Sequence, residues 1–183
     1  MRILGIDPGS ARTGYGCVET DGRRHQLVAC GAISARAGDA LPQRLARIHR
    51  ELAALLASCH PDCVAIESIF HAVNARTALR LGHARGVAIL AAVESGCDVV
   101  EYTPAEIKRA VVGYGRAEKH QVQQMIKLLL GLDKPPSPHD AADALAVAIC
   151  HLHSTPAHVP PAIAPAPRGA PRTWRQYRPP ANG

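Results

Sequence analysis

Residues 3–19, ILGIDPGSARTGYGCVE, decide how the chain folds. ILGID is an apolar strand that stops at Asp7, PGSARTG supplies the turn residues Pro8, Gly9 and Gly14, and YGCVE resumes a strand. The pattern predicts a hairpin-like start with a carboxylate at the end of its first strand. HQLVACGAIS, residues 25–34, reads as a third strand. Over residues 41–59, Leu41, Leu45, Ile48, Leu52, Leu55 and Leu56 recur at helical spacing, with Arg44, Arg47 and Arg50 outside. DCVAIE (62–67) is a short buried strand ending at Glu67. A long helix is expected from about Asn74 to Glu94, and CDVVEYT (97–103) as a fifth strand.

TPAEIKRAVVG (103–113) opens with Thr103 as N-cap, Pro104 at the first helical position and Glu106 closing a capping box. AEKHQVQQMIKLLLGL (117–132) is an amphipathic helix stopped near Gly131. KPPSPH is a rigid connector, and DAADALAVAICHLH (140–153) is a last, Ala-rich helix. Three strands followed by helices alternating with two more predict an α/β layer architecture with a mixed sheet.

The 183 residues suit one domain with a tail, and 47% apolar residues are enough for a full core. Residues 154–183 hold eight of the 15 prolines and four arginines (Arg168, Arg172, Arg175, Arg178) without an acid. They read as a disordered or polyproline-like extension to a domain at 1–153. The formal charge of +6 is concentrated there, since residues 1–153 carry 17 Lys/Arg against 15 Asp/Glu. A basic tail on a weakly basic body is compatible with nucleic acid. Six cysteines are scattered, no secretory signal is evident, and no apolar run reaches the ~18 residues of a membrane span. A cytoplasmic location with free thiols and no membrane partner is the expectation.

Four acids carry the chemistry: Asp7, Glu67, and the pair Asp140 and Asp143. Each sits where an apolar strand ends or a helix begins, and a buried unpaired carboxylate is costly. Singly, each has an ordinary reading: a turn Asp before Pro-Gly, a partner for an arginine, or first-turn acids that favour the helix dipole. Asp140 itself, Ser137 or His139 could cap the last helix. Together the acids suggest a shared cation, and hard oxygen ligands suit Mg²⁺. Ala141, Ala142, Ala144 and Ala146 would let the last helix approach the first strand closely. The expectation is a divalent-metal phosphodiesterase with two ions about 4 Å apart.

LGIDPGSARTGYG (4–16), VAIESIFHAVNARTALRLGHARGVAILAA (64–92), EYTPAEIKRAVVGYGRAEKHQVQQMI (101–126) and DAADALAVAICH (140–151) resemble the RuvC-type Holliday junction resolvases. The resemblance runs in order through roughly residues 1–153. It implies a ribonuclease-H-like fold, a five-stranded mixed sheet flanked by helices. It also implies a homodimer that nicks four-way junction DNA symmetrically in Mg²⁺, with Mn²⁺ able to substitute, and that works with the RuvA and RuvB branch-migration complex. Asp7, Glu67, Asp140 and Asp143 match the family's metal-binding acids. Some members have a His in the third position; here Asp140 fills it, and the role of the adjacent His139 stays open. Lys108 and Lys119 match lysines held near the scissile phosphate, where a cation stabilises developing charge.

Phe70, the only Phe, follows Glu67 by three residues. It reads either as a stacking platform for an unpaired base, as the resemblance implies, or as a core residue. Arg76 and Arg80, one turn apart with His83 on the same face, read either as phosphate contacts or as a solvated helix face. Cys59-His60-Pro61-Asp62-Cys63 offers only two thiols and lacks a second pair, so buried cysteines are expected rather than zinc. Tyr102 and Tyr114 are expected to pack. An actin-like nucleotide-binding domain also begins with such a turn, but needs a second domain for which this chain has no room. A junction-binding protein without activity and a nuclease for another nucleic acid are the remaining alternatives. Phe70→Ala is expected to leave junction affinity intact while slowing cleavage; unchanged single-turnover rates would return Phe70 to the core.

Overall fold

The computed structural model describes residues 1–36, 38–68 and 74–155. β1 (Arg2–Asp7), β2 (Arg12–Thr20) and β3 (His25–Ser34) form an antiparallel meander. They are followed by α1 (Leu41–Cys59), β4 (Cys63–Glu67), α2 (Ala75–Glu94), β5 (Asp98–Tyr102), α3 (Pro104–Val112), α4 (Lys119–Leu129) and α5 (His139–Ser154). The sheet has the order β3-β2-β1-β4-β5, with β4 parallel to both β1 and β5. This is the five-stranded mixed sheet that the sequence pattern predicts.

The two-residue period of the strands sorts side chains into two cores. Leu4, Ile6, Val64 and Ile66 pack with Ile48, Leu52 and Leu56 of α1 and with Ala84, Ala88 and Ala91 of α2. Ile3, Cys63 and Ala65 turn to the other face, against Ile107 of α3, Val122 and Ile126 of α4, and Leu145 and Ile149 of α5. Asp7 and Glu67 continue the odd-numbered rows of β1 and β4, so the pleat sends both toward the α5 layer.

α5 lies unusually close to the sheet. A Cβ at Gly5 would run into the Ala144 carbonyl oxygen and Ala148; one at Gly14 would run into the Asp140 backbone. Gly14 faces Asp7 across the β1–β2 ladder. The same contact that seats the helix therefore sets the backbone of Asp140 beside Asp7. From the helix side, Ala141, Ala142, Ala144, Ala146 and Ala148 are buried.

Local signals hold well for α1 and α3. α1 covers the expected 41–59, and α3 has the Thr103–Glu106 capping box with Pro104 in its first turn. α5 differs from expectation: it begins at His139 with Pro138 as N-cap and no side-chain capping bond. Neither Ser137, His139 nor Asp140 caps it, so both aspartates keep their carboxylates for other partners. Cys59 belongs to the α1–α2 core and Cys63 to the α5 core, on opposite sheet faces, so they do not share an ion. All six thiols are free, and burial pushes Cys17 up to about 12. Tyr102 packs edge-on against His151. Tyr114 departs from its expected packing role: it is exposed, and its hydroxyl donates to Gln121 Oε1 at 2.8 Å. No described helix is long and apolar enough to cross a membrane.

Gly5→Ala is expected to cost about 1–3 kcal/mol by forcing α5 off the sheet. Urea unfolding reads this as a lowered midpoint with unchanged slope; an unaltered midpoint would contradict the close seating.

Candidate active site

Parallel neighbours β1 and β4 end together. Their register runs Ile3 with Cys63 through Ile6 with Ile66, so the next step brings Asp7 alongside Glu67. The turn after β1 is tied back on itself by the fully buried Thr13, whose hydroxyl donates to the Gly9 carbonyl at 2.8 Å. Asp140 and Asp143 project from one face of the first turns of α5. Three elements thus converge on one sheet edge.

Crowding shows in the protonation of these groups. The Asp7 carboxyl is pushed up to about 8 from its ordinary 3.8, by burial first and then by the negative charges of Glu67, Asp143 and Asp140. Burial also raises Glu67; a hydrogen bond from Asp7 and the charges of Lys119 and Lys108 hold it back, while Asp143 adds to the rise. The outer two acids each meet a cation. Arg12 Nη1 lies 3.2 Å from Asp140 Oδ2, and Lys119 Nζ lies 3.0 Å from Asp143 Oδ2. The bond to Asp143 raises Lys119. Both cations are largely exposed, so these pairs contribute little to stability and act mainly on the field at the edge. Turned toward these partners, the four carboxylates do not by themselves close around a single point.

Arg12 is the residue that sequence reasoning missed. It lies 128 positions from Asp140, and only the register of β1 with β2 hints at it. Lys108, in α3, is half-buried and near enough to act on Glu67. Lys119 is the first residue of α4, as its position after GRAE suggests. His139 turns its Nδ1 to Gln123 Nε2 of α4. Arg76, Arg80 and His83 are exposed on α2, in the layer opposite α5. Phe70 and residues 156–183 lie outside the described residues.

The family model for "Crossover junction endodeoxyribonuclease RuvC" matches residues 3–151. This chain belongs to the RuvC family. A RuvC from Alkaliphilus oremlandii is 53% identical over 154 residues, spanning 84% of this chain and 94% of that protein. The solved structure of Thermus thermophilus RuvC in complex with Holliday junction substrate is 34% identical, covering 82% of this chain and 92% of that one at a TM-score of 0.79. The yeast mitochondrial Holliday junction resolvase Ydc2, at 14% identity and a TM-score of 0.58, covering 82% of this chain and 78% of that one, shares the fold. The chain is an endodeoxyribonuclease of the RuvC family, with the ribonuclease-H-like architecture.

RuvC membership implies a divalent cation. The residues present fit one: every donor at the edge is a carboxylate oxygen, the ligand type of Mg²⁺ and Mn²⁺, and Asp7 carries a proton that a cation would displace.

The raised Asp7 makes a stability prediction. Between about pH 4 and pH 8 the native state holds a proton there that the unfolded chain has released, so stability falls as pH rises through that window. Asp7→Asn removes this penalty. The cation-free variant is expected to melt roughly 3–6 °C above the parent at pH 8, with the gap closing toward pH 4. A constant gap across that range would show that Asp7 is not the strained group.

Proposed function

We propose that this chain is a homodimeric, Mg²⁺-dependent resolvase of four-way DNA junctions, acting in the cytoplasm beside the RuvA and RuvB branch-migration complex. The observation that carries this reading is the set of four converging carboxylates, flanked by Lys119, Lys108 and Arg12, in a chain 53% identical to a RuvC over 154 residues.

Asp7, Glu67, Asp140 and Asp143 would hold two Mg²⁺ ions, replaceable by Mn²⁺, whose chemistry when bound would be to activate a water and neutralise charge on the phosphate. Asp7 gives up its proton as the site loads. Lys119, exchanging its contact with Asp143 for a non-bridging phosphate oxygen, stabilises the charge that builds on phosphorus. Lys108 acts on the same field from α3. Arg76 and Arg80 contact the DNA backbone, and Phe70 stacks on a base opened at the junction. The nick leaves a 5′-phosphate and a 3′-hydroxyl, which ligase can seal. Residues 1–153 form the nuclease domain; the 154–183 tail adds basic charge outside it.

Pairing of two chains follows from the substrate. Two symmetric nicks need two sites related by a two-fold axis, hence an isologous interface. α2 offers a surface for it. Leu79, His83, Gly86, Leu90 and Val93 recur at alternating steps of four and three along one helix face, and the three apolar ones are at least half exposed. Leu79, His83, Gly86 and Leu90, with Leu45 of α1, border an open groove of about 530 Å³. A seam of this spacing suits a second copy of the same helix.

The test is cleavage of a synthetic mobile four-way junction in Mg²⁺ beside linear duplex and an RNA–DNA hybrid, with Asp7→Asn as control. Paired symmetric nicks on the junction, lost in Asp7→Asn, are expected. Tight binding without nicks by a folded dimer would make the chain a junction-binding module; cutting of the hybrid instead would move its substrate elsewhere in the fold.

A further inference from the structure

α5 carries a second chemical cluster at its other end. Asp140 and His153 are thirteen residues apart, about 20 Å along the helix, so the two regions are well separated. His153, in the last turn of α5, meets His25, the first residue of β3, with their Nε2 atoms 3.2 Å apart. The rings are tilted by 45°, and neither is fully buried.

The other nitrogen of each ring is anchored. His153 Nδ1 lies 2.9 Å from the Ala110 carbonyl of α3. A carbonyl only accepts, so Nδ1 carries the proton and the Nε2 lone pair is bare. His25 Nδ1 lies 3.1 Å from Thr20 Oγ1, and that hydroxyl also reaches the Arg24 carbonyl at 3.0 Å. When Thr20 donates to Arg24, its oxygen accepts from His25 Nδ1–H, and the second Nε2 is bare too. Two bare lone pairs at this separation repel. Either a proton moves onto His25 Nε2 as the Thr20 hydroxyl turns to Nδ1, or a metal ion takes both nitrogens.

The 3.2 Å spacing fits the hydrogen bond of the first outcome and equally fits the second. Tetrahedral Zn²⁺ with nitrogens at 2.0–2.1 Å sets two ring nitrogens about 3.3 Å apart. A carbonyl or hydroxyl behind each ring is also the usual support of a metal-ligating histidine. Asp21, whose carboxylate accepts the N–H groups of Arg23 and Arg24 at 2.8 Å each, adds negative potential near His25. We propose that His25 and His153 form a clamp for a borderline divalent transition ion, Zn²⁺ or Cu²⁺, independent of the oxygen-lined edge that suits Mg²⁺. Burial and the neighbouring His153 lower the His25 pKa, which keeps the ring ready to ligate at neutral pH. Two imidazoles leave the remaining coordination positions to water, so the ion exchanges. While bound it staples the β2–β3 hairpin to the end of α5, with α3 held through Ala110.

The experiment uses the full chain carrying Asp7→Asn, in Mg²⁺, so that the carboxylate edge contributes as little as possible. Zn²⁺ is the probe, and melting temperature with histidine ring ¹⁵N shifts are the readouts. Zn²⁺ is expected to raise Tm by roughly 3–6 °C and to shift the Nε2 resonances of His25 and His153. Adding His25→Ala or His153→Ala should abolish the rise. An equal rise in those variants would assign the ion to other ligands, and unmoved Nε2 resonances in the chain with both histidines intact would overturn the clamp whether or not the variants fold.

Discussion

The seating of α5 on a floor without side chains is the contact on which the rest depends. Gly5 and Gly14 leave the inner sheet bare where the helix crosses it, and the alanines of α5 meet that floor. Wider residues on either side would lift the helix and carry Asp140 and Asp143 away from Asp7. Apolar contact on both faces of the sheet supplies the stabilising free energy, roughly in proportion to the area removed from water. That contact offsets the cost of gathering acids at one edge. The fold therefore holds a charge arrangement that the acids would not adopt alone.

That arrangement is electrostatically uncomfortable without a cation. Burial and three neighbouring carboxylates keep a proton on Asp7 at neutral pH. Arg12 and Lys119 relieve the outer acids, but through exposed contacts that are easily exchanged. Divalent cations held there, as proposed, would relieve these acids, and part of their binding free energy would be removal of a penalty already present. The same exposed cations would then be free to meet phosphate. In the proposed mechanism, the strain at this edge and its affinity for metal and DNA are two aspects of one charge distribution.

Much of this was legible in the residues. The helical period over 41–59, the Thr-Pro-x-Glu start of α3 and the strands ending at Asp7 and Glu67 are signals written within single elements. The start of α5 was not, because Pro138 marks the boundary by restricting backbone angles rather than through a side-chain cap. Tyr114 misled because an aromatic ring in a Gly-rich turn can hydrogen-bond on the surface instead of packing. Arg12 reads as one more turn residue until the hairpin and helix are assembled. The Cys59 and Cys63 pair separates in space because the break between α1 and β4 lies between the two cores.

Periodicity and capping are short-range, since they follow from the geometry of one helix turn or one pleat. The amino-acid sequence by itself therefore determined the element types, the α/β class and which acids end which segments. The tertiary structure decided the pairings: Arg12 with Asp140, His25 with His153, both 128 residues apart. No local pattern encodes such distances. They arise from the order of five strands and from how closely one helix lies on them.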